Sequence, residues 1–191
     1  MRALIGDGSY DWPEGPWVRV NFVMTVDGSA TGTDGRSGTI NNEVDVQLFH
    51  DLRDTCDVIL VGAGTVRVEE YGPDTQKPML VVGTGLPARL VGAPHVRLSP
   101  GGDAQALRAM MAGLFAEGLT HVLCEGGPTL LGSLLESGLV DELCLTITPR
   151  LLVGGGRRIT NGLVPEDVPL ELVSLIEHEG TLLTRWVVSR A

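Results

Sequence analysis

Apolar residues along this chain follow two rhythms. Short β-rich runs recur at VRVNFVMTV (18–26), CDVILVG (56–62), MLVVG (79–83), THVLC (120–124) and ELCLTIT (142–148). Two more, LELVSLIEHE and TLLTRWVVS, are separated by Gly180 and predict a terminal hairpin. Between them, helical spacing appears three times. Val44, Leu48, Phe49 and Leu52 follow Asn42 as N-cap; Leu107, Met110, Met111, Leu114 and Phe115 run from Asp103 to Gly118; Leu130, Leu131, Leu134 and Leu135 end at Gly138. The continuous run at 58–61 suits a strand buried on both faces. SATGTDGRSGTINN reads as a loop, as do the stretch carrying Pro87 and Pro94 and the later LLVGGGRR. Strands alternating with helices, then a terminal hairpin, predict an α/β fold with a mostly parallel sheet and antiparallel strands at one edge. Residues 1–16 read as an irregular arm and 17–191 as one domain.

Composition narrows the partners. Of 191 residues, 24 are acidic and 14 basic, giving a formal charge of -10. Nucleic acid and anionic membranes are repelled by such a chain. A small molecule is the expected ligand. Cys56, Cys124 and Cys144 are odd in number, form no CxxC pair and lie in apolar surroundings, so they read as buried thiols. No N-terminal apolar region has signal-peptide character, and no run reaches the roughly 18 residues that span a bilayer. A cytoplasmic protein is expected.

Chemistry concentrates where strands end in glycine. HVLCEGGPTLLGSLL (121–135) runs from a strand into Gly126, Gly127 and Pro128, with Thr129 opening a leucine-striped helix. Free N–H groups at such a turn, helped by the helix dipole, form an anion site; a tight turn needing glycine for geometry alone explains the same residues. Glu125 stands beyond the strand, either in a crevice or as a solvated loop acid. A second turn carries Gly62, Gly64 and Thr65, followed by Arg67, which either neutralises a phosphate or pairs with Glu69 or Glu70. GTGLPA (83–88) matches a dinucleotide fingerprint formally, but no helix follows Pro87, which leaves Thr84 near a nucleotide only through another architecture. Asp27 precedes a glycine-rich loop, as a functional carboxylate or as an ordinary Asp-Gly turn. P-loop, nucleophile-elbow and HExxH patterns are absent, and the four histidines are scattered, so hydrolase and metal chemistry lose support.

On FVMTVDGSATG, DLRDTCDVILVGAGTVRVEEYGP and HVLCEGGPTLLGSLLESGLVDELCLTITPRLLVGGG, the chain resembles the reductase domain of the bacterial riboflavin-biosynthesis deaminase-reductases. That resemblance implies a dihydrofolate-reductase-like, three-layer α/β/α fold with a mostly parallel sheet and a C-terminal antiparallel hairpin, NADPH as cofactor and a homodimer. The implied reaction is hydride transfer to 5-amino-6-(5-phosphoribosylamino)uracil, giving the ribitylamino product. It also implies that Gly62, Gly64, Thr65 and Glu69 line the cofactor and that Gly126, Gly127, Pro128, Thr129 and Leu130 hold its pyrophosphate. Thr84 is implied near the adenosine ribose, Val23 and Thr39 near the nicotinamide. Ser37, Arg53 and Glu125 are implied on the substrate, with Asp27 and Glu125 in catalytic roles. Arg67 and Arg89 are the candidates for a 2′-phosphate partner, and spacing fixes neither. The chain departs from the family pattern at Thr39, where an aromatic residue is usual, and in the shortened DTQKP segment. A reductase of dihydrofolate or of another pterin-like or pyrimidine metabolite, and a non-catalytic nucleotide binder, are the alternatives. A deaminase step is expected to belong to a separate protein.

Overall fold

In a computed structural model, β1 (Trp17–Thr25) occupies the centre of an eight-stranded sheet whose order is β4-β3-β2-β5-β1-β6-β8-β7. The structure describes residues 8–73, 75, 77–162 and 167–189. The other strands are β2 (Val58–Gly62), β3 (Met79–Val82), β4 (Val96–Ser99), β5 (His121–Cys124), β6 (Glu142–Thr148), β7 (Leu170–His178) and β8 (Thr181–Val188). Every pair from β4 to β6 is parallel, and β8 alone runs against its neighbours β6 and β7. The hairpin turn is two residues long because Glu179 and Gly180 both take positive φ, the combination that matches strand twist.

Side-chain alternation sorts the strands into two cores. Ile59 and Val61 face α1 (Glu43–Thr55), joining Val44, Leu48 and Leu52, while Val58 and Leu60 face the opposite side. There they meet Leu107, Met111 and Leu114 of α3 (Ala104–Ala116) and Leu130, Leu131 and Leu134 of α4 (Pro128–Glu136). This is the α/β/α sandwich that the continuous apolar run at 58–61 predicts. A six-residue α2 (Ala63–Val68) follows β2 directly. All three cysteines are buried free thiols. No helix of the described residues is long and apolar enough to cross a membrane.

One element escapes the pattern. β4 is an edge strand inside what reads as a proline-bearing loop; its four residues VRLS are half-buried or exposed, so they carry no apolar run. Residues 8–16 hold neither helix nor strand, yet Tyr10 is buried and its carbonyl accepts from Arg19 Nη1 at 2.8 Å. Beneath them Arg19 and Arg185 share the Glu142 carboxylate, at 2.8 and 2.7 Å to Oε1.

Candidate active site

The carboxyl ends of β1, β2 and β5 open into a cleft of about 370 Å³ beneath α1 and the loop after β1. The direction of α1 is set at its first turn. Asn42 Oδ1 accepts the Asp45 amide at 3.1 Å while its Nδ2 reaches Thr181 Oγ1 on β8 at 2.6 Å, tying the helix to the sheet. Asp45, Phe49 and Arg53 then fall four residues apart and line the cleft together.

At the cleft's inner wall Glu125, the residue after β5, is buried and fully engaged. Arg53 grips it through Nε to Oε1 at 2.6 Å and Nη2 to Oε2 at 2.7 Å, and the Tyr71 hydroxyl donates to Oε2 at 2.6 Å. The guanidinium lies over the Phe49 ring at 4.1 Å and faces Tyr71 at 5.2 Å. Burial, followed by the Glu125 charge, raises the Tyr71 phenol well above its ordinary value, so it stays a hydrogen-bond donor. A bidentate pair closed by a third donor fixes all three side chains and presents a rigid polar wall.

A second chamber of about 420 Å³ adjoins the first, and the two share Gly64, Thr65, Gly127, Pro128 and Arg157. The glycine turns meet here, with Gly62 N donating to Gly126 O at 2.7 Å. Gly126 has φ +75°, and a Cβ on it would run into the Phe22 ring; a Cβ on Gly127 would lie 2.5 Å from Thr65 Oγ1. Only glycine leaves the cradle open. Gly127 caps α4 without a side chain, so the first amides of that helix remain free to bind an anion. Thr129, Thr84 and Arg67 line the same chamber, and Arg67 Nη1 donates to Thr84 O at 3.0 Å.

Against known proteins, the profile of the RibD C-terminal domain matches residues 16–182. The chain belongs to this family. The 2,5-diamino-6-ribosylamino-4(3H)-pyrimidinone 5′-phosphate reductase of Methanothermobacter thermautotrophicus is 30% identical over 176 residues, covering 73% of this chain and 80% of that protein. The riboflavin biosynthesis protein RibD of Mycobacterium tuberculosis is 31% identical over 171 residues, covering 78% of this chain but 49% of that protein. This RibD C-terminal domain therefore spans about half the length of the RibD relatives it matches. Among solved structures, a pyrimidine reductase-like protein from Corynebacterium diphtheriae superposes with TM-score 0.76 at 21% identity, covering 100% of this chain and 98% of that one. Dihydrofolate reductase from Enterococcus faecalis, complexed with NADP(H), gives 0.64 at 15% identity, covering 91% and 97%. The fold is dihydrofolate-reductase-like.

Within this RibD C-terminal domain the residues singled out from sequence separate into three groups. Val23, Ser37, Arg53, Gly64, Thr65, Glu69, Glu125, Gly127 and Pro128 line the first chamber; Gly62, Thr84, Thr129 and Leu130 line the second. Gly126 underlies both through its bond to Gly62. Asp27 and Thr39 stand apart. The Asp27 carboxylate receives the Thr25 hydroxyl and the Leu152 amide, which hold it below the usual carboxylate range, and it tethers the loop after β1 to the loop after β6. Thr39 lines a separate surface hollow with Arg150 and donates to Asp34 Oδ1 at 3.0 Å. Arg89 is spent on the Tyr71 and Val66 carbonyls and does not line the second chamber, which leaves Arg67 to face it. Nor does Arg67 pair with Glu69 or Glu70: Glu70 binds Arg36 at 2.8 Å and Glu69 accepts the Ser37 amide at 2.8 Å.

Three cleft residues carry no sequence signal strong enough to select them. Tyr71 sits in a glycine-proline turn whose long-range partner is visible only in three dimensions. Arg157 belongs to a glycine-rich loop that folds back to the junction of the chambers. Asp45 lies on the floor of the cleft, where burial lifts its carboxyl from 3.8 to about 6, an effect the nearby Thr146 hydroxyl only partly offsets.

Proposed function

We propose that this RibD C-terminal domain is an NADPH-dependent oxidoreductase of riboflavin biosynthesis, reducing a 5-phosphoribosylamino-pyrimidine to its ribitylamino product. The observation that carries this reading is the pair of joined chambers meeting at Thr65 and Gly127, one lined by the two glycine turns and the start of α4 and the other walled by Arg53, Glu125 and Tyr71. The glycine turn fits the cofactor, because Gly127 leaves the first amides of α4 uncapped and Cβ atoms at Gly126 and Gly127 would collide with Phe22 and Thr65 and distort that turn. When bound, the reduced nicotinamide supplies a hydride.

The protein's own share is binding and alignment, which suffices for much of the barrier when donor and acceptor are held in line. The free amides at the start of α4 would hold the pyrophosphate, with Thr84 towards the adenosine end and Arg67 for the 2′-phosphate. Gly64 and Thr65 border the point where the chambers join, and Val23 lines the first of them. On the substrate side, Glu125 holds the Arg53 guanidinium in place and Glu69 holds the Ser37 amide, which positions both residues for the pyrimidine and its ribose phosphate. Asp27 is assigned to the loop tether and not to catalysis. We place the protein in the cytoplasm as a homodimer, with the exposed Leu170, Leu172, Val173 and Leu175 of the edge strand β7 as its self-association face. Sedimentation at increasing concentration checks that assembly.

Loss of the 340 nm absorbance of NADPH in the presence of 5-amino-6-(5-phosphoribosylamino)uracil, or of its 2-amino counterpart, tests the assignment. Well-folded protein that binds NADPH and oxidises it with neither would return the domain to a binding role. Preferential turnover of dihydrofolate would move it to another reductase class.

A further inference from the structure

Reduction of the ring-opened substrate needs a proton as well as a hydride. A C–H bond forms at C1′ of the ribosylamine, the electron pair of the C1′=N bond moves to nitrogen, and nitrogen takes the proton, while the reduced nicotinamide is oxidised. That proton comes from a group in the cleft. Glu125 is closed off by Arg53 and Tyr71. Glu69 binds the Ser37 amide. Tyr71 holds its proton too tightly, through burial and the Glu125 charge beside it, and Arg53 and Arg157 are too basic. Asp27 lies outside the cleft lining.

Asp45 differs from all of these. It is 6% exposed, it lines the cleft, and its Oδ1 has no hydrogen-bond partner. Asn21 Oδ1 on β1 is also buried and without a partner, and Asn21 lines the same cleft, while the Thr146 hydroxyl on β6 faces the Asp45 carboxyl and favours its ionised form. Buried polar atoms left without partners are rare in a folded protein, and each calls for an explanation. Building on the function proposed above, we propose that Asp45 is the proton donor of the reduction, with Asn21 of the same cleft holding the substrate's donor groups.

The environment suits that role. The group facing Asp45 from β6 is the neutral Thr146 hydroxyl, Asn21 of β1 lines the same cleft, and the other charged residues of the cleft are Arg53, Glu69, Glu125 and Arg157. Of these Arg53 is neutralised by Glu125, so burial dominates and the carboxyl titrates at about 6. A general acid works best with its pKa near the operating pH, and one of this kind contributes roughly 10²–10⁴-fold.

The test compares wild type with Asp45→Asn and Asp45→Ser. For wild type, kcat/KM for the ribosylamino-pyrimidine falls as pH rises through about 6. In both variants kcat drops roughly 10²–10⁴-fold and the limb disappears, while NADPH binding followed by fluorescence is unchanged. Carbon-13 NMR of the Asp45 carboxyl gives a readout free of turnover, with a midpoint near 6 expected in the unliganded protein. A folded Asp45→Asn variant with wild-type kcat, or a carboxyl that titrates at its ordinary value, overturns the inference and leaves the reductase assignment standing. A wild type that binds NADPH but never reduces a pyrimidine overturns both.

Discussion

Asp45→Asn removes a charge that folding forces into a dry site, and its effect on stability can be worked out in advance. Burial lifts the carboxyl from 3.8 to about 6, a shift of roughly two units worth ~3 kcal/mol. The folded chain holds this proton more tightly than the unfolded one, so between the two values the native state binds more protons. Stability therefore falls as pH rises through that window, with ~1.5 kcal/mol lost by pH 5 and ~3 kcal/mol above pH 7. Asp27, Asp34, Asp57, Glu70 and Glu142 are shifted in the opposite sense. Glu142, for example, is raised by burial but brought below its ordinary range by Arg19 and Arg185, so its contribution is lost on acidification. Comparing variant with wild type isolates Asp45 from that background. Urea unfolding at intervals from pH 5 to 8 should show Asp45→Asn more stable throughout, with a gap that widens towards neutrality. The corresponding rise in Tm is roughly 6–12 °C at pH 7.5, at about 2–4 °C per kcal/mol for a chain of this size. Parallel stability curves for the two proteins would refute the burial argument and, with it, the reason for assigning Asp45 a raised pKa.

Other perturbations probe separate parts of the cleft. Arg53→Met leaves Glu125 buried beside Tyr71 with no counter-charge, and removing one partner of a buried pair costs about 3–5 kcal/mol; chemical denaturation should show this, with Arg53→Met plus Glu125→Gln recovering much of it. Gly126→Ala combines positive φ with a clash against Phe22, so NADPH affinity measured by fluorescence should fall at least tenfold, and adding Phe22→Ala should relieve the clash but not the backbone strain. Arg67→Gln should weaken NADPH by roughly tenfold while leaving NADH unchanged, since only the former carries the phosphate it would meet; equal losses for both would place the 2′-phosphate elsewhere. Asp27→Asn should leave kcat within about twofold, because its carboxylate bridges two loops outside the cleft, and a large loss of kcat at unchanged stability would restore it to the mechanism.

How much of this was legible in the chain depends on the range of the interaction that fixes each feature. The sandwich was legible because the apolar runs of β2, β3 and β5 are long enough to bury both faces, and because Asn42 and Asp103 act within one turn of themselves. β4 was not, since an exposed edge strand has little hydrophobic signal to give. In the site, the glycine turns were readable for the same local reason: their conformation is set by neighbours in sequence. Arg53 came only through resemblance and Glu125 was readable only as either a crevice or a loop acid, and nothing in the sequence says that these residues, 72 positions apart, touch.

Asp45 shows the limit most sharply. Placed three residues after an N-cap, an aspartate has a complete local explanation, because an acid in the first turn favours the helix dipole. That explanation predicts an exposed, ordinary carboxylate. It fails because α1 is rotated so that its first turn lies over β1 and β6, a rotation imposed by Leu48 and Leu52 seeking the core and by Asn42 reaching Thr181 on β8. The helix thus gains its dipole interaction and forfeits the hydration of one oxygen. A cost of that size persists in a fold when some other requirement holds the residue in place, and the buried, unpartnered oxygens of Asp45 and Asn21, two residues that line one cleft, point to the ligand the cleft receives.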